Sequence, residues 1–427
     1  MMYPSGNHQA RNFIIGVLNG TLFIFGSNFI GATTVLPIFL KTLTDSSLLI
    51  GLGAAIMNIG WAMPQLFESY YIESKPYKMP TYRKAGIFRV SSLFIITAVV
   101  YFICDLPAKV GLLFIMILLS MYSFSAGFCG AAFMDIVGKT IPRKKLGSFF
   151  GYRLFFGGVL GIIAGITVGN VLSNNMLPYP TNYFILFAFA CVINSTAVVI
   201  YNFTKEPKGE IVQQKEKFFE HIKNASNVLK TDKNYRILMV VKLLCGSSAI
   251  AFPFYVIYAI DKLNFKQEIV GVFILAQVIG GVISNIFWGY LGDTRGNKIV
   301  MQLYAFLGVL APLLALVLPA FKNIYSLYVL IFLAIGFSEG GGIIGFFNLL
   351  IEMSPPKERP SYIGFMNTIT SPTALAPLLG GLIIELVSYK TIFLTAFVLT
   401  FAGFIVSLKL INPVQAEQKI KTDKHAL

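Results

Sequence analysis

FSAGFCGAAFMDIVGKTIPRKKLGSFFGY, residues 124–152, aligns without a gap to FSEGGGIIGFFNLLIEMSPPKERPSYIGF, residues 337–365. Eight positions are identical: Phe124/Phe337, Ser125/Ser338, Gly127/Gly340, Phe133/Phe346, Pro142/Pro355, Lys144/Lys357, Ser148/Ser361 and Gly151/Gly364. Each stretch leaves an apolar run, passes a proline and a basic turn, and enters the next apolar run. A second pairing sets 59–78 against 279–298. It matches Ile59/Ile279, Gly60/Gly280, Phe67/Phe287, Tyr70/Tyr290 and Lys78/Lys298, with Glu73 opposite Asp293. The chain is therefore a duplication, and its two halves run in the same direction.

The solvent of those halves is lipid. Of 427 residues, 56% are hydrophobic and 12% charged, about half the charge of a soluble chain. Twelve apolar runs are long enough to cross a bilayer: 12–40, 48–71, 86–104, 110–138, 149–173, 181–203, 237–260, 268–290, 299–319, 326–353, 362–388 and 391–411. They lack the period-2 alternation of a membrane barrel, so the expected fold is all-α, with twelve transmembrane helices in two pseudo-symmetric six-helix bundles. The first run is too long for a signal-peptide core and no small-residue cleavage site follows, so it reads as an uncleaved helix.

Basic residues give the orientation. With the N-terminus inside, the inner segments hold 24 of the 34 Lys and Arg residues, the outer loops six and the helices four. Both termini are expected in the cytoplasm of a multi-pass protein of the cell membrane. The net charge of +15 is on this reading a topology signal, and nucleic acid is not an expected partner. Residues 1–203 form one bundle, 237–411 the other, and 412–427 a cytoplasmic tail. In the connector 204–236, Ile211, Phe218, Ile222 and Leu229 share one helical face with lysines off it. That pattern fits a basic amphipathic helix on the inner leaflet, or a solvated linker.

Some chemistry is disfavoured outright. Cys104, Cys129, Cys191 and Cys245 lie in apolar runs without CxxC spacing, and His8, His221 and His425 lie at the termini and in the middle connector. No disulfide framework, metal site or other cofactor is expected. Neither a phosphate-binding loop nor a nucleophile–base constellation is present, so ATP-driven transport by this chain and enzyme activity are not expected.

The stretch GYLGDTRGNK, residues 289–298, resembles the loop signature of the major facilitator superfamily, which follows the second span and in many members the eighth. The copy after the second span is degraded to YIESKPYK, residues 71–78, and lacks the glycines. The resemblance covers nearly the whole chain and implies a secondary transporter that works by alternating access. It implies a latch formed by Asp293, Arg295, Gly296 and Lys298 after span eight and by Glu73 and Lys78 after span two. Asp293 would face the inner end of span five near Ser148 and Gly151, and Glu73 would face span eleven near Ser361. The plainer reading is that these charges only mark cytoplasmic turns.

Intramembrane charges are costly and so are candidates for function. Glu339 is the deepest, about 20 Å from either end of its span at 1.5 Å per residue. It replaces Ala126 of the first half. It reads as a proton- or cation-coupling carboxylate or a substrate counter-charge, or else as a neutral carboxyl bonded to a neighbouring helix. Asp135 and Arg153 sit at similar depth on adjacent spans, which suits an ion pair or a moving inner gate. Glu68, Arg89, Glu352, Lys242 and Glu385 are read as near-interface residues, with Glu352 facing Arg359, Lys242 reaching inward and Glu385 outward. Asn28, Tyr255, Tyr258, Gln277 and Asn367 are candidates to line a pathway, and Pro253 should kink span seven.

The expected function is transport of a small organic solute, with protons or another ion as the coupling partner, by a monomer in contact with lipid. A transporter-like sensor without net transport is the alternative. Few deep cations are visible, which argues against a polyanionic substrate.

Overall fold

The computed structural model describes residues 6–412 apart from 74, 143–144, 210–231, 322–323, 355–361, 363–365 and 367–368. Among the described residues all regular structure is helical. Fifteen α-helices follow in order: α1 Gly6–Ser27, α2 Val35–Lys41, α3 Ser47–Glu73, α4 Met79–Tyr101, α5 Ala108–Thr140, α6 Leu146–Ser173, α7 Thr181–Tyr201, α8 Lys233–Gly246, α9 Phe252–Asp261, α10 Ile269–Arg295, α11 Asn297–Gly308, α12 Leu310–Val317, α13 Ile324–Met353, α14 Ala376–Leu386 and α15 Tyr389–Ser407. Among the described residues, eleven helical stretches are long and apolar enough to cross a membrane. The expected eleventh span is represented by the shorter apolar stretch Ser371–Leu386, and the rest of it lies partly outside the described residues. The amphipathic face of 211–229 also lies outside them.

Several expected spans are two helices in series. Span seven breaks at Ser247–Ile250, just before Pro253, as the proline predicts. Span one breaks at residues 28–34, a step the apolar pattern conceals. Span three begins at Met79, seven residues before the apolar run. Pro80 suits the first turn. Met79, Tyr82, Ala85 and Gly86 form a buried face while Arg83 and Lys84 point outward, so a hydropathy reading discards two real turns.

The repeat is visible in the packing. The aligned glycines Gly60 and Gly280 make the same kind of contact: Gly60 lies against Ser123 of α5, and Gly280 against the backbone of Leu333 and Phe337 of α13. Gly336 in turn lies directly on the Gln277 carbonyl. Small residues let these backbones approach closely in lipid, where apolar burial gives no preference for helix over chain.

By packing, the described chain separates into two compact units. The first holds Met1–Lys215, Phe252–Leu275 and Pro377–Val387; the second holds Glu216–Ala251, Ala276–Ala376 and Ser388–Leu427. One boundary falls within the central connector, between Lys215 and Glu216, and others fall within spans seven, eight and eleven.

Candidate transport machinery

Glu339 stands at the midpoint of α13, in the second unit. It is surrounded by protein atoms and keeps part of its surface accessible. Gln277 of α10 hydrogen-bonds to it. The local sequence explains why these two meet. Gly336 and Gly340 seat α13 on α10 at Gln277 and at Ser284 and Asn285, and Trp288 Nε1 donates to the Phe337 carbonyl at 2.9 Å. Ala126, the repeat counterpart of Glu339, is 4% exposed. The carboxyl is thus an addition to one half of a duplicated scaffold.

Lys242 of α8, in the same unit, does not reach for an interface. Its Nζ lies 3.9 Å from the Phe346 ring centroid and 3.6 Å from Met366 Sδ. Phe346 is two helical turns from Glu339 along α13, so the ammonium is held deeper than the inward reach expected of it.

The first unit departs further from expectation. Asp135 does not pair with Arg153. It pairs with Lys139 one turn along α5, at 2.6 Å, the geometry any i,i+4 acid–base pair adopts on a helix. Arg153 turns toward α1 instead. Its Nη1 donates to the Gly16 carbonyl at 2.7 Å and reaches Asn19 Oδ1 at 3.4 Å, with the guanidinium 4.4 Å over Phe133. Asn19 also donates to the Ala197 carbonyl at 2.9 Å.

Arg89 is not near an interface. With α4 starting at Met79, it is about 15 Å along the helix and 5% exposed. Its guanidinium lies 3.9 Å from the Phe23 ring centroid and 4.9 Å from that of Tyr122, and Nη2 donates to the Tyr122 hydroxyl at 3.0 Å. Nε is buried without a hydrogen-bond partner. A ring contact contributes about 2 kcal/mol when desolvated. Removing an ion from water costs several kcal/mol, which two rings and one hydroxyl offset while Nε stays without a hydrogen-bond partner.

At one end of the first unit, Glu206 forms a clasp that sequence reading missed. Its side chain is 3% exposed. It accepts from the Lys78 and Met79 amides at 2.8 Å, capping α4, and from Lys139 Nζ at 3.1 Å. A carboxylate here meets both the helix dipole and a lysine. Lys78, expected in the latch, is 2% exposed and turns its ammonium to the Lys75 carbonyl. The Glu73 side chain lies outside the described residues, as do Asn367, Arg359 and Ser361.

The loop after α10 keeps part of its expected geometry. Gly296 has φ 86°, a conformation that disfavours any side chain. Asp293 and Arg295 are exposed, and among the described residues neither makes an ion pair. The working group of this loop is Asn297, which donates to Glu352 Oε1 at 2.6 Å and accepts from Asn348 at 3.3 Å. Lys298 is half-buried.

The opposite end of the first unit holds a second clasp. Lys41 Nζ lies 3.0 Å from Asp261 Oδ2 and 3.1 Å from Asp45 Oδ1. Glu385 of α14 accepts from the Ser46 hydroxyl and from the Leu48 amide at 3.1 Å, so it caps α3 from another helix. Backbones approach closely where Gly51 meets the Pro377 carbonyl, Gly381 meets Ser47 and Gly165 meets Gly271. A small cavity of about 190 Å³ is lined by Ile38, Lys41, Thr42, Ile257, Ile260, Asp261 and Gln267. Of the residues expected to line a pathway, Tyr255 is fully enclosed in this unit and packs instead. Tyr258 is half-buried, and Asn28 bonds back to the Ile24 carbonyl at 2.8 Å. Among the described residues of this set, Gln277 joins Glu339.

The helical architecture is similar to that of solved membrane transporters. A bacterial homologue of the iron transporter ferroportin, in an inward-facing state, superposes with a TM-score of 0.71 at 14% identity, over 94% of this chain and 98% of that one. The nucleoside transporter NupG superposes with a TM-score of 0.65 at 13% identity, over 96% and 99%. These likenesses establish the fold. The family model of the Major Facilitator Superfamily matches residues 154–369 and 237–426, and the chain belongs to that family. The multi-drug resistance efflux pump PmrA of Streptococcus pneumoniae is 28% identical over 199 residues, covering 44% of this chain and 48% of the pump. The multidrug resistance protein MdtG of Proteus mirabilis is 27% identical over 188 residues, covering 41% and 45%. The alignments thus span about half the length of these relatives.

Proposed function

We propose that this protein is a secondary transporter that moves a small organic solute by alternating access, with protons as the coupling ion. The carrying observation is Glu339, a carboxyl at mid-membrane depth, hydrogen-bonded by Gln277 and absent from the other half of the duplication. A carboxyl there can take a proton in one conformation and release it in the other. The moving bodies are the repeat-defined bundles 1–203 and 237–411. The Lys41–Asp261–Glu385 clasp is the outer gate and the Glu206 clasp braces the inner end of the first bundle. The protein works as a monomer in the cell membrane with both termini in the cytoplasm. Efflux of amphiphilic compounds is the favoured direction, because the named sequence relatives are multidrug resistance proteins.

The test is flux in proteoliposomes. Wild type should accumulate solute against its gradient when a pH gradient is imposed. Glu339→Gln should keep exchange of solute for solute and lose pH-driven accumulation. Full pH-driven accumulation by Glu339→Gln would remove the coupling role.

A further inference from the structure

Fixed charge on the membrane-spanning helices is unbalanced. Among the described residues, Arg89 and Arg153 in the first unit and Lys242 in the second have no carboxylate within ion-pair distance. Arg153 is satisfied by backbone and amide oxygens, and Lys242 keeps some accessible surface. Arg89 is sealed and is left with an unused donor at Nε.

Among the described residues, the neighbours of Arg89 bring several hydroxyl protons and no carboxylate within ion-pair distance. The Tyr122 hydroxyl accepts from Arg89, so its own proton is available. The Tyr82 hydroxyl, two turns from Arg89 along α4, accepts from Asn19 at 3.4 Å, which again leaves the proton. The Tyr201 hydroxyl, whose ring is 4.8 Å from that of Tyr82, is buried without a partner. Both guanidiniums act electrostatically on Tyr82. Buried polar groups are ordinarily matched donor to acceptor. A cluster with a buried, unpaired positive charge, a guanidinium N–H without a partner and hydroxyl protons to donate is complementary to an anion.

We propose that Arg89, with Tyr122, is an anion-recognition site, and that the solute is a monoanionic amphiphile, a carboxylate or sulfonate on an apolar body. Phe23 and Tyr122, the rings that flank the guanidinium, receive the apolar part. The assignment rests on the transporter reading for what the anion is, and on the Arg89 cluster for its charge. A monoanion is compatible with the expectation, drawn from the scarcity of deep cations in the sequence, that a polyanionic substrate is disfavoured.

Two pyrene probes of matched shape test it: pyrenesulfonate and pyrenylmethyl-trimethylammonium. Binding is read by probe fluorescence with purified full-length protein in detergent, and flux is read in proteoliposomes. Wild type should bind the sulfonate at least tenfold more tightly than the ammonium. Arg89→Gln should lose that preference by at least tenfold, Arg89→Lys should keep part of it, and Tyr122→Phe should weaken sulfonate binding severalfold. Equal or tighter binding of the ammonium by wild type, no binding of the sulfonate, or an unchanged ratio in Arg89→Gln would each overturn the site. Should Arg89→Gln not fold, the wild-type ratio and Tyr122→Phe decide in its place. Sulfonate binding without flux would support the site and count against the transport reading. Ammonium flux without sulfonate binding would do the opposite.

Discussion

Replacing Asp261 by Asn tests the outer gate at the contact that links α2 to α9. The Lys41 and Asp261 side chains are 29% and 23% exposed, and the Asp45 side chain is 98% exposed. Water screens the Asp45 contact almost entirely, so the Asp261 pair carries the ionic part of the clasp. A half-buried pair of this kind contributes about 1 kcal/mol, which corresponds to roughly a fivefold change in an equilibrium. Glu385 still caps α3 in the variant, so the gate should loosen without failing. The assay is alkylation of Ile257→Cys, a cavity-lining position 2% exposed in the closed form, in a background with the exposed Cys104 replaced by Ser. Asp261→Asn should raise the alkylation rate about fivefold, and added salt should bring wild type partway toward it. Lys41→Ala should act similarly, and the double variant should add little, because both changes remove the same pair. An unchanged rate, or fully additive effects of the two substitutions, would refute the gate assignment.

Glu206→Gln removes the charge that caps α4 and leaves Lys139 with Asp135 alone. Loss of a buried ionic partner costs about 3 kcal/mol, so the thermal midpoint in detergent should fall by several degrees while folded, monodisperse protein is still recovered. Gly336→Val places a branched side chain on the Gln277 carbonyl and should push α13 from α10, which a drop in thermal midpoint and in Glu339-dependent flux would report. Gln277→Leu leaves the Glu339 carboxyl without its hydrogen-bond donor. It should shift the pH at which flux is half-maximal, while Asn285→Leu, about two turns away on α10, should not.

The duplication made the fold readable, because identical glycines, prolines and basic turns recur at matching places in two apolar halves. Glu339 stands out in the sequence for the same reason: the carboxyl in one copy lies opposite Ala126 in the other. The partners of charges were less readable. Asp135 takes Lys139, a neighbour on its own helix, over Arg153 on the next, and helix packing directs Arg153 to Asn19. Arg89 was misplaced because its helix begins two turns before its apolar run, with Arg83 and Lys84 on the outward face. Glu206 and the Lys41–Asp261 pair depend on contacts between residues far apart in sequence. One clue was available, since Lys41 and Asp261 follow spans one and seven, which are repeat-related. Asn297 was overshadowed by the charged residues of its loop, although only the amide faces both α13 partners.

The most direct test of alternating access is a reversible lock on the outer gate. Thr42→Cys and Ile260→Cys face one cavity across α2 and α9 and can be joined by a short bifunctional methanethiosulfonate in the Cys104→Ser background. Cross-linking should stop flux in proteoliposomes, each single-cysteine variant should be unaffected, and reduction of the linker should restore the rate. Undiminished flux through fully cross-linked protein would contradict the account.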